Sequence, residues 1–241
     1  MSSPQKIVLT ILSVFTCLVY GADDSNLPLI PVPYQPGIAM TRDVQAGITP
    51  DQSIAILKEG NARFQDGRPL KRDVKKLVTK TALGQYPFAS VVACIDSRSG
   101  PEIVFDQSIG DLFVTRVAGN VVNEDIIGSL EYASKVAGSK LIVVLGHTNC
   151  GAVKGACDGV KMGNLTGLLE KIQPAVSAAK SDGERNSKNY KFVAEVTEIN
   201  VADAIENIRQ KSPILKELES QGRIKIVGAI YNTSTGKVSW H

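Results

Sequence analysis

Histidine is almost missing from this sequence. Its 241 residues include two, one of them the C-terminal His241, so one chain cannot place three imidazoles on a metal ion. Aromatic residues make up 5%, with one tryptophan, Trp240. An excess of either charge is also lacking: 27 Lys and Arg stand against 24 Asp and Glu, a formal +3. That balance gives no electrostatic case for a nucleic-acid partner. No internal repeat or low-complexity tract is visible, and a composition 43% hydrophobic and 21% charged excludes disorder and collagen-like repetition. Four cysteines are too few to staple a chain this long, and one α/β domain of this size buries a sufficient core without them.

The apolar run from Ile7 to Tyr20 follows Lys6 and ends at Gly21-Ala22, ahead of Asp23-Asp24. This pattern predicts a secretory signal peptide over 1–21, cleaved before Ala22, and hence a periplasmic or secreted protein. The run falls short of the roughly 20 apolar residues that span a bilayer, so no membrane attachment is expected after cleavage. Cys17 would leave with the signal, and Cys94, Cys150 and Cys157 remain. An odd number of thiols in an exported chain is explained either by one disulfide plus a free thiol or by metal ligation.

Pro28, Pro31, Pro33 and Pro36 predict an extended N-terminal arm over 22–48, followed by one domain over 49–241. Thr49-Pro50-Asp51-Gln52 signals a helix start with a capping box, and Ile54, Leu57 and Phe64 give that helix an apolar stripe. Phe88–Cys94, Asp111–Arg116 and Lys140–Gly146 are near-continuous apolar runs of the kind a doubly buried parallel sheet requires. A helix from Glu124 to Val136, stopped by Gly138, completes a βαβ unit. Helices at about 165–180, 195–210 and 213–221, a strand at Arg223–Ile230, and Lys237–Trp240 after a turn at Asn232–Gly236 complete the chain. The expected fold is α/β: a mostly parallel sheet of four to five strands flanked by helices, with the last strand antiparallel at the edge.

Two of the predicted strands end in reactive residues, Cys94-Ile-Asp96-Ser-Arg98 and His147-Thr-Asn-Cys150-Gly151. Ligands collect beyond the carboxyl ends of parallel strands, so Cys94, His147 and Cys150 are placed to meet. Two thiolates and one imidazole leave a tetrahedral ion one open position, the pattern of catalytic zinc. The plain alternative is that all three are core residues. Asp96 is near enough to coordinate the metal itself, and Arg98 offers a fork that can hold the carboxylate away from it.

These two motifs, with Arg116-Val-Ala-Gly-Asn120 between them, resemble the signature of the β-class carbonic anhydrases, here of an exported bacterial type. The resemblance runs from about residue 49 to the end. It implies the β-carbonic anhydrase fold and the reversible hydration of carbon dioxide to bicarbonate and a proton by zinc-bound hydroxide. One zinc ion per chain would rest on Cys94, His147 and Cys150, with Asp96 and Arg98 as the catalytic dyad. Gln85 matches the glutamine that holds substrate or product, while Phe113 and Tyr132 match residues lining an apolar pocket shared across a dimer interface. Gly151 is grouped with them, its missing side chain permitting close backbone packing beside the metal. Ala118 stands where some relatives have a larger apolar residue. A homodimer or a dimer of dimers is implied.

Some members carry a regulatory bicarbonate site that includes a tryptophan in the early helices; with Trp240 as the sole tryptophan, the unregulated subtype is expected. Zinc with two thiolates and a neutral imidazole is formally neutral. It therefore acidifies water less than the three-imidazole carbonic anhydrase site, for which about 7 is the established pKa, and hydration should strengthen on the alkaline side. Cys157 reads as a packed thiol, and Asn164 and Asn232 as a helix cap and a turn residue inside glycosylation-like tripeptides. Two other functions remain compatible with the residues. One is a zinc hydrolase of a related linear molecule, carbon disulfide or carbonyl sulfide; the other is an exported non-enzymatic protein with a structural zinc or a Cys94–Cys150 disulfide.

Overall fold

The computed structural model describes residues 34–241. The predicted signal peptide and the first part of the arm lie outside the described residues. The arm does not stay extended: Thr41 caps a short helix, α1 (Arg42–Gly47). Its buried Gln45 donates to the carbonyls of Pro87 and Ala137, both at 2.8 Å. α2 (Pro50–Gln65) begins as the sequence predicts, with both halves of the Thr49–Gln52 capping box formed. Leu57 is fully buried and Ile54 and Phe64 pack against the same core.

Five strands form one sheet in the order β2-β1-β3-β4-β5. β1 (Ala89–Ala93), β2 (Leu112–Arg116), β3 (Leu141–His147) and β4 (Lys225–Tyr231) are parallel, and β5 (Val238–Trp240) pairs antiparallel with β4 at the edge. β1 and β3 are buried along their whole length because each face has its own cover. Val91, Val143 and Leu145 meet Leu57, Phe88 and Phe105 on one side. Val92, Ile142 and Val144 meet Ile126, Leu130, Val201, Ile208 and Leu215 on the other. Two-sided burial is what makes these strands read as unbroken apolar runs.

Helices account for the remaining differences from expectation. α3 (Val74–Thr81), capped by Asp73, and the four-residue α4 (Pro101–Val104) were not anticipated; both are too short to show a clear apolar period. α5 (Glu124–Glu131) passes into a π-helical turn over Tyr132–Val136, a register change a 3.6-residue period cannot reveal. α6 (Gly151–Cys157) follows the second motif. The stretch at 165–180 is split into α7 (Gly163–Glu170) and α8 (Gln173–Ala178), since Pro174 has no N–H to continue a helix and starts a new one. α9 (Tyr190–Lys211) is longer than its apolar pattern, being capped by Asn189, and α10 (Pro213–Ser220) follows.

At the start of β2 a charge is buried without a counterion bond. The carboxylate of Asp106 takes Arg63 and Arg72, each at 2.5 Å, whereas Asp111, 3% exposed, accepts from the Ser108 amide at 2.8 Å. Burial pushes its pKa up to about 6, against the opposing pull of that amide and Arg72. A raised carboxyl pKa means the folded state keeps a proton that the unfolded chain releases, so the stabilisation present below about pH 4 is lost as pH rises to about 6. Asp111→Asn should therefore match the parent near pH 4 and exceed it by on the order of 2 kcal/mol at pH 7.5. Urea unfolding at the two pH values checks this; equal stabilities at pH 7.5 would refute it.

Candidate metal centre

The carboxyl ends of β1 and β3 lie side by side, with Ala93 opposite Leu145. Cys94 is the first residue beyond β1, and His147 is the last of β3. The turn after β3 is tight, with Asn149 in the left-handed region (φ 58°), and brings Cys150 back as the residue that precedes α6. The two Sγ atoms are 3.9 Å apart. All three donor atoms lie within 4.8 Å of one another, and all three residues are buried. They form the one such group among the described residues.

Three observations test whether this set fits a metal. Nε2 of His147 is buried with no hydrogen-bond partner, a costly state for a polar atom unless it has another bond to make. Its other nitrogen, Nδ1, lies 2.9 Å from the Thr148 carbonyl, which fixes the tautomer that frees Nε2. The sulfur separation is close to the edge of a tetrahedron with metal–sulfur bonds of about 2.3 Å, and nearly twice the S–S bond of about 2.05 Å. Cys94, Cys150 and Cys157 are all free thiols, so the disulfide alternative is not adopted.

Electrostatics point the same way. The Cys94 thiol is shifted well below its ordinary range, chiefly by the hydrogen bond from Cys150, with further help from His147 and the Gly119 amide. Cys150 is pushed up by that same bond and by burial. Two buried sulfurs this close oppose each other's ionisation, and a cation between them removes the conflict. Cys157 belongs to the core around α6, and burial raises its pKa to about 11; it is no part of the cluster.

Asp96 and Arg98 form the expected pair. Arg98 donates Nε to Oδ1 at 2.9 Å and Nη2 to Oδ2 at 2.7 Å, and its backbone N–H reaches Oδ1 at 2.9 Å. The carboxylate faces the centre, with Oδ2 3.9 Å from Nε2 of His147. Arg116, at the end of β2, braces the loop by donating to the carbonyls of Cys94 (2.9 Å) and Asp96 (2.5 Å). A further clamp joins the His147 turn to the hairpin after β4, through Thr148 and Thr233 hydroxyls 3.0 Å apart. Neither brace has a signal in the residues' spacing, since the partners are separated by 22 and 85 positions.

Other expected residues are placed differently. Gln85 is exposed. Phe113 and Tyr132 touch edge-on, with ring centroids 6.3 Å apart. They line a cavity of about 730 Å³ with Ser90, Thr115 and Gly128, none of the three donors among its lining. An added Cβ at Gly151 would meet nothing within 4 Å, so close packing is not what glycine supplies there. Trp240 packs against Phe105, and His241 is held by its amide on the Gly228 carbonyl, partway along β4.

The sequence profile of the carbonic anhydrase family matches residues 89–238. Carbonic anhydrase 2 of Mycobacterium tuberculosis is 37% identical over 188 residues, covering 75% of this chain and 87% of that protein. The carbonic anhydrase of Mycolicibacterium smegmatis is 35% identical over 189 residues, covering 76% and 88%. Among solved structures, the β-carbonic anhydrase of Coccomyxa in complex with acetazolamide superposes with a TM-score of 0.60 at 25% identity, covering 78% of this chain and 85% of that one.

Arg98 holds the Asp96 carboxyl well below the usual carboxylate range through its hydrogen bonds, against the opposing effect of burial. Asp96 is thus ionised in the folded state across neutral and mildly acidic pH. In Arg98→Ala the carboxyl midpoint should rise toward the ordinary value of about 3.9. Carbon-13 NMR of the Asp96 carboxyl reads the titration directly, and an unshifted midpoint would show that Arg98 does not set it.

Proposed function

Since the chain belongs to the carbonic anhydrase family and catalyses the reversible hydration of carbon dioxide, we propose that Cys94, His147 and Cys150 hold one zinc ion per chain at which that reaction occurs. The observation that carries this is the unpartnered Nε2 of His147 facing two thiol sulfurs in a buried pocket. When bound there, zinc supplies Lewis acidity, making a water acidic enough to act as hydroxide toward carbon dioxide.

The chain's own residues do the rest. Arg98 engages both oxygens of Asp96, which would keep the carboxylate from binding a metal held by Cys94, His147 and Cys150. Asp96, kept ionised, is placed to accept a hydrogen bond from the O–H of the attacking oxygen, which would aim that oxygen's lone pair at the carbon. Carbon dioxide is uncharged and needs an apolar berth, and Phe113 and Tyr132 supply one to the centre of a second copy of this chain in a homodimer or dimer of dimers. Gln85 donates its amide to the bound substrate or product. Lys6 followed by the Ile7–Tyr20 run supports removal of 1–21 on export to the periplasm or beyond.

Zinc analysis beside stopped-flow hydration tests the centre. The parent and Cys157→Ser should each carry about one zinc and hydrate carbon dioxide, with a rate that climbs from pH 6 to pH 9. Cys150→Ser should lose metal and activity together. An active zinc-free chain, or a rate flat across that range, would count against the assignment.

The shared pocket has its own test. Tyr132→Ala should keep its zinc and its assembly by light scattering while kcat/KM falls roughly tenfold or more, the usual cost of one lost pocket contact. An unchanged kcat/KM would remove Tyr132 from the pocket.

A further inference from the structure

One hydrogen bond to the centre comes from a backbone that is not held by regular structure. The Gly119 amide donates to Sγ of Cys94 at 3.3 Å. Gly119 lies in the 3₁₀ turn Ala118–Asn120 with φ 69°. A Cβ at this position would stand 2.7 Å from Cδ1 of Ile172 and 3.2 Å from Cβ of Ala152, so glycine is required on both counts. Asn120 is also left-handed (φ 46°), and two such residues in succession need outside support. It comes from α9, 81 positions away: buried Asn200 donates Nδ2 to the Gly119 carbonyl at 2.8 Å. The buried face of α9 is otherwise mostly apolar, with Val193, Val196, Val201 and Ala204, and its other buried polar residue, Thr197, bonds back to the carbonyl of Val193 in its own helix.

We propose that Asn200 is a positioning residue that, through the Gly119 carbonyl, keeps the Gly119 amide on Sγ of Cys94 and so sets how much charge this sulfur donates to the metal. The inference rests on the metal-centre reading above. An N–H donor on a thiolate withdraws electron density from it, and partners of metal ligands tune a centre in this way. In a site with two thiolates each such donor offsets charge that would otherwise weaken the Lewis acid. Asn200 also lines a polar cavity of about 460 Å³ with Asn123, Lys171 and Asp203. Cutting the side chain back enlarges this cavity on the side of the Gly119 carbonyl and removes the one side chain that orients the turn from α9.

The test uses the full chain loaded with cobalt(II), whose sulfur-to-metal charge-transfer band reports the electron richness of the thiolates. Asn200→Ala and the nearly isosteric Asn200→Leu are compared with Ile208→Ala, a core change elsewhere on α9 that lowers the melting temperature without touching the turn. In both Asn200 variants the band should move to longer wavelength, and zinc-loaded kcat should fall about tenfold with KM little changed. The Ile208 variant should keep the parent's band. A band that stays in place in either folded Asn200 variant, or moves equally in Ile208→Ala, would overturn the inference. A parent chain that shows no such band would instead remove the metal reading and this inference with it. Independently of any variant, cadmium-113 loading should give scalar coupling between the metal and the Gly119 amide proton, and its absence would also overturn the proposal.

Discussion

Parallel pairing of β1 with β3 is the constraint on which this molecule turns. Because the two strands run in the same direction in register, residues at their carboxyl ends, Cys94 and His147, emerge at one edge of the sheet and not at opposite ends. The third donor needs only a tight turn and the start of α6. Parallel pairing in turn demands crossover helices on the faces of the sheet, which explains why the strands are buried on both sides and why α9 spans the back of the site. The donors are buried because the sheet is doubly covered, and it is doubly covered because its strands are parallel.

That burial sets the electrostatic problem the neighbouring residues solve. Two sulfurs 3.9 Å apart cannot both be charged in a buried pocket without a cation or several donors. The structure provides donors at each: the Gly119 amide at Cys94, and at Cys150 the amides of Ala152 and Val153 at the start of α6. Asp96 is treated differently. It lies at the rim, partly solvated, with Arg98 taking both oxygens, so its charge is kept and its geometry fixed. A chemistry that needs a poised carboxylate beside a neutral metal–thiolate group is met by burying one set of charges and leaving the other at the surface.

The order and type of the strands, the capping of α2 and the meeting of Cys94, His147 and Cys150 were legible because they rest on local rules: apolar runs, a Thr-Pro-x-Gln start, reactive residues at strand ends. The Asp96–Arg98 pair was legible for the same reason, being two residues apart. What escaped reading is long-range. Arg116, Thr233 and Asn200 act on carbonyls and hydroxyls whose partners arrive only through the fold; Arg116 opens the Arg116–Asn120 motif, but neither it nor the other two is marked there as a brace. Gly119-Asn120 was the one available hint, since Gly-Asn between apolar segments often signals left-handed backbone. α1 escaped because prolines on the N-terminal side of Met40 masked six residues of ordinary helix. The expectation for Gly151 failed because a glycine beside a site suggests a close approach, whereas here it opens a helix.

The edge strand β2 is less covered than the strands beside it. β1 and β3 are buried throughout, whereas Leu112 to Thr115 on β2 are each partly exposed. Yet β2 has the same apolar character, and Oγ1 of Thr115 is enclosed without a partner in the described chain. A strand built for burial but half covered, flanked by an exposed Tyr132 and Val136, asks for a second surface. The proposed mechanism asks for the same thing from the chemical side: the donors sit among backbone amides and a carboxylate, none of which favours carbon dioxide over water, while the aromatic pair that would do so lines a separate cavity. A second copy laid against β2 answers both demands with one contact, which would couple assembly to catalysis without any moving part.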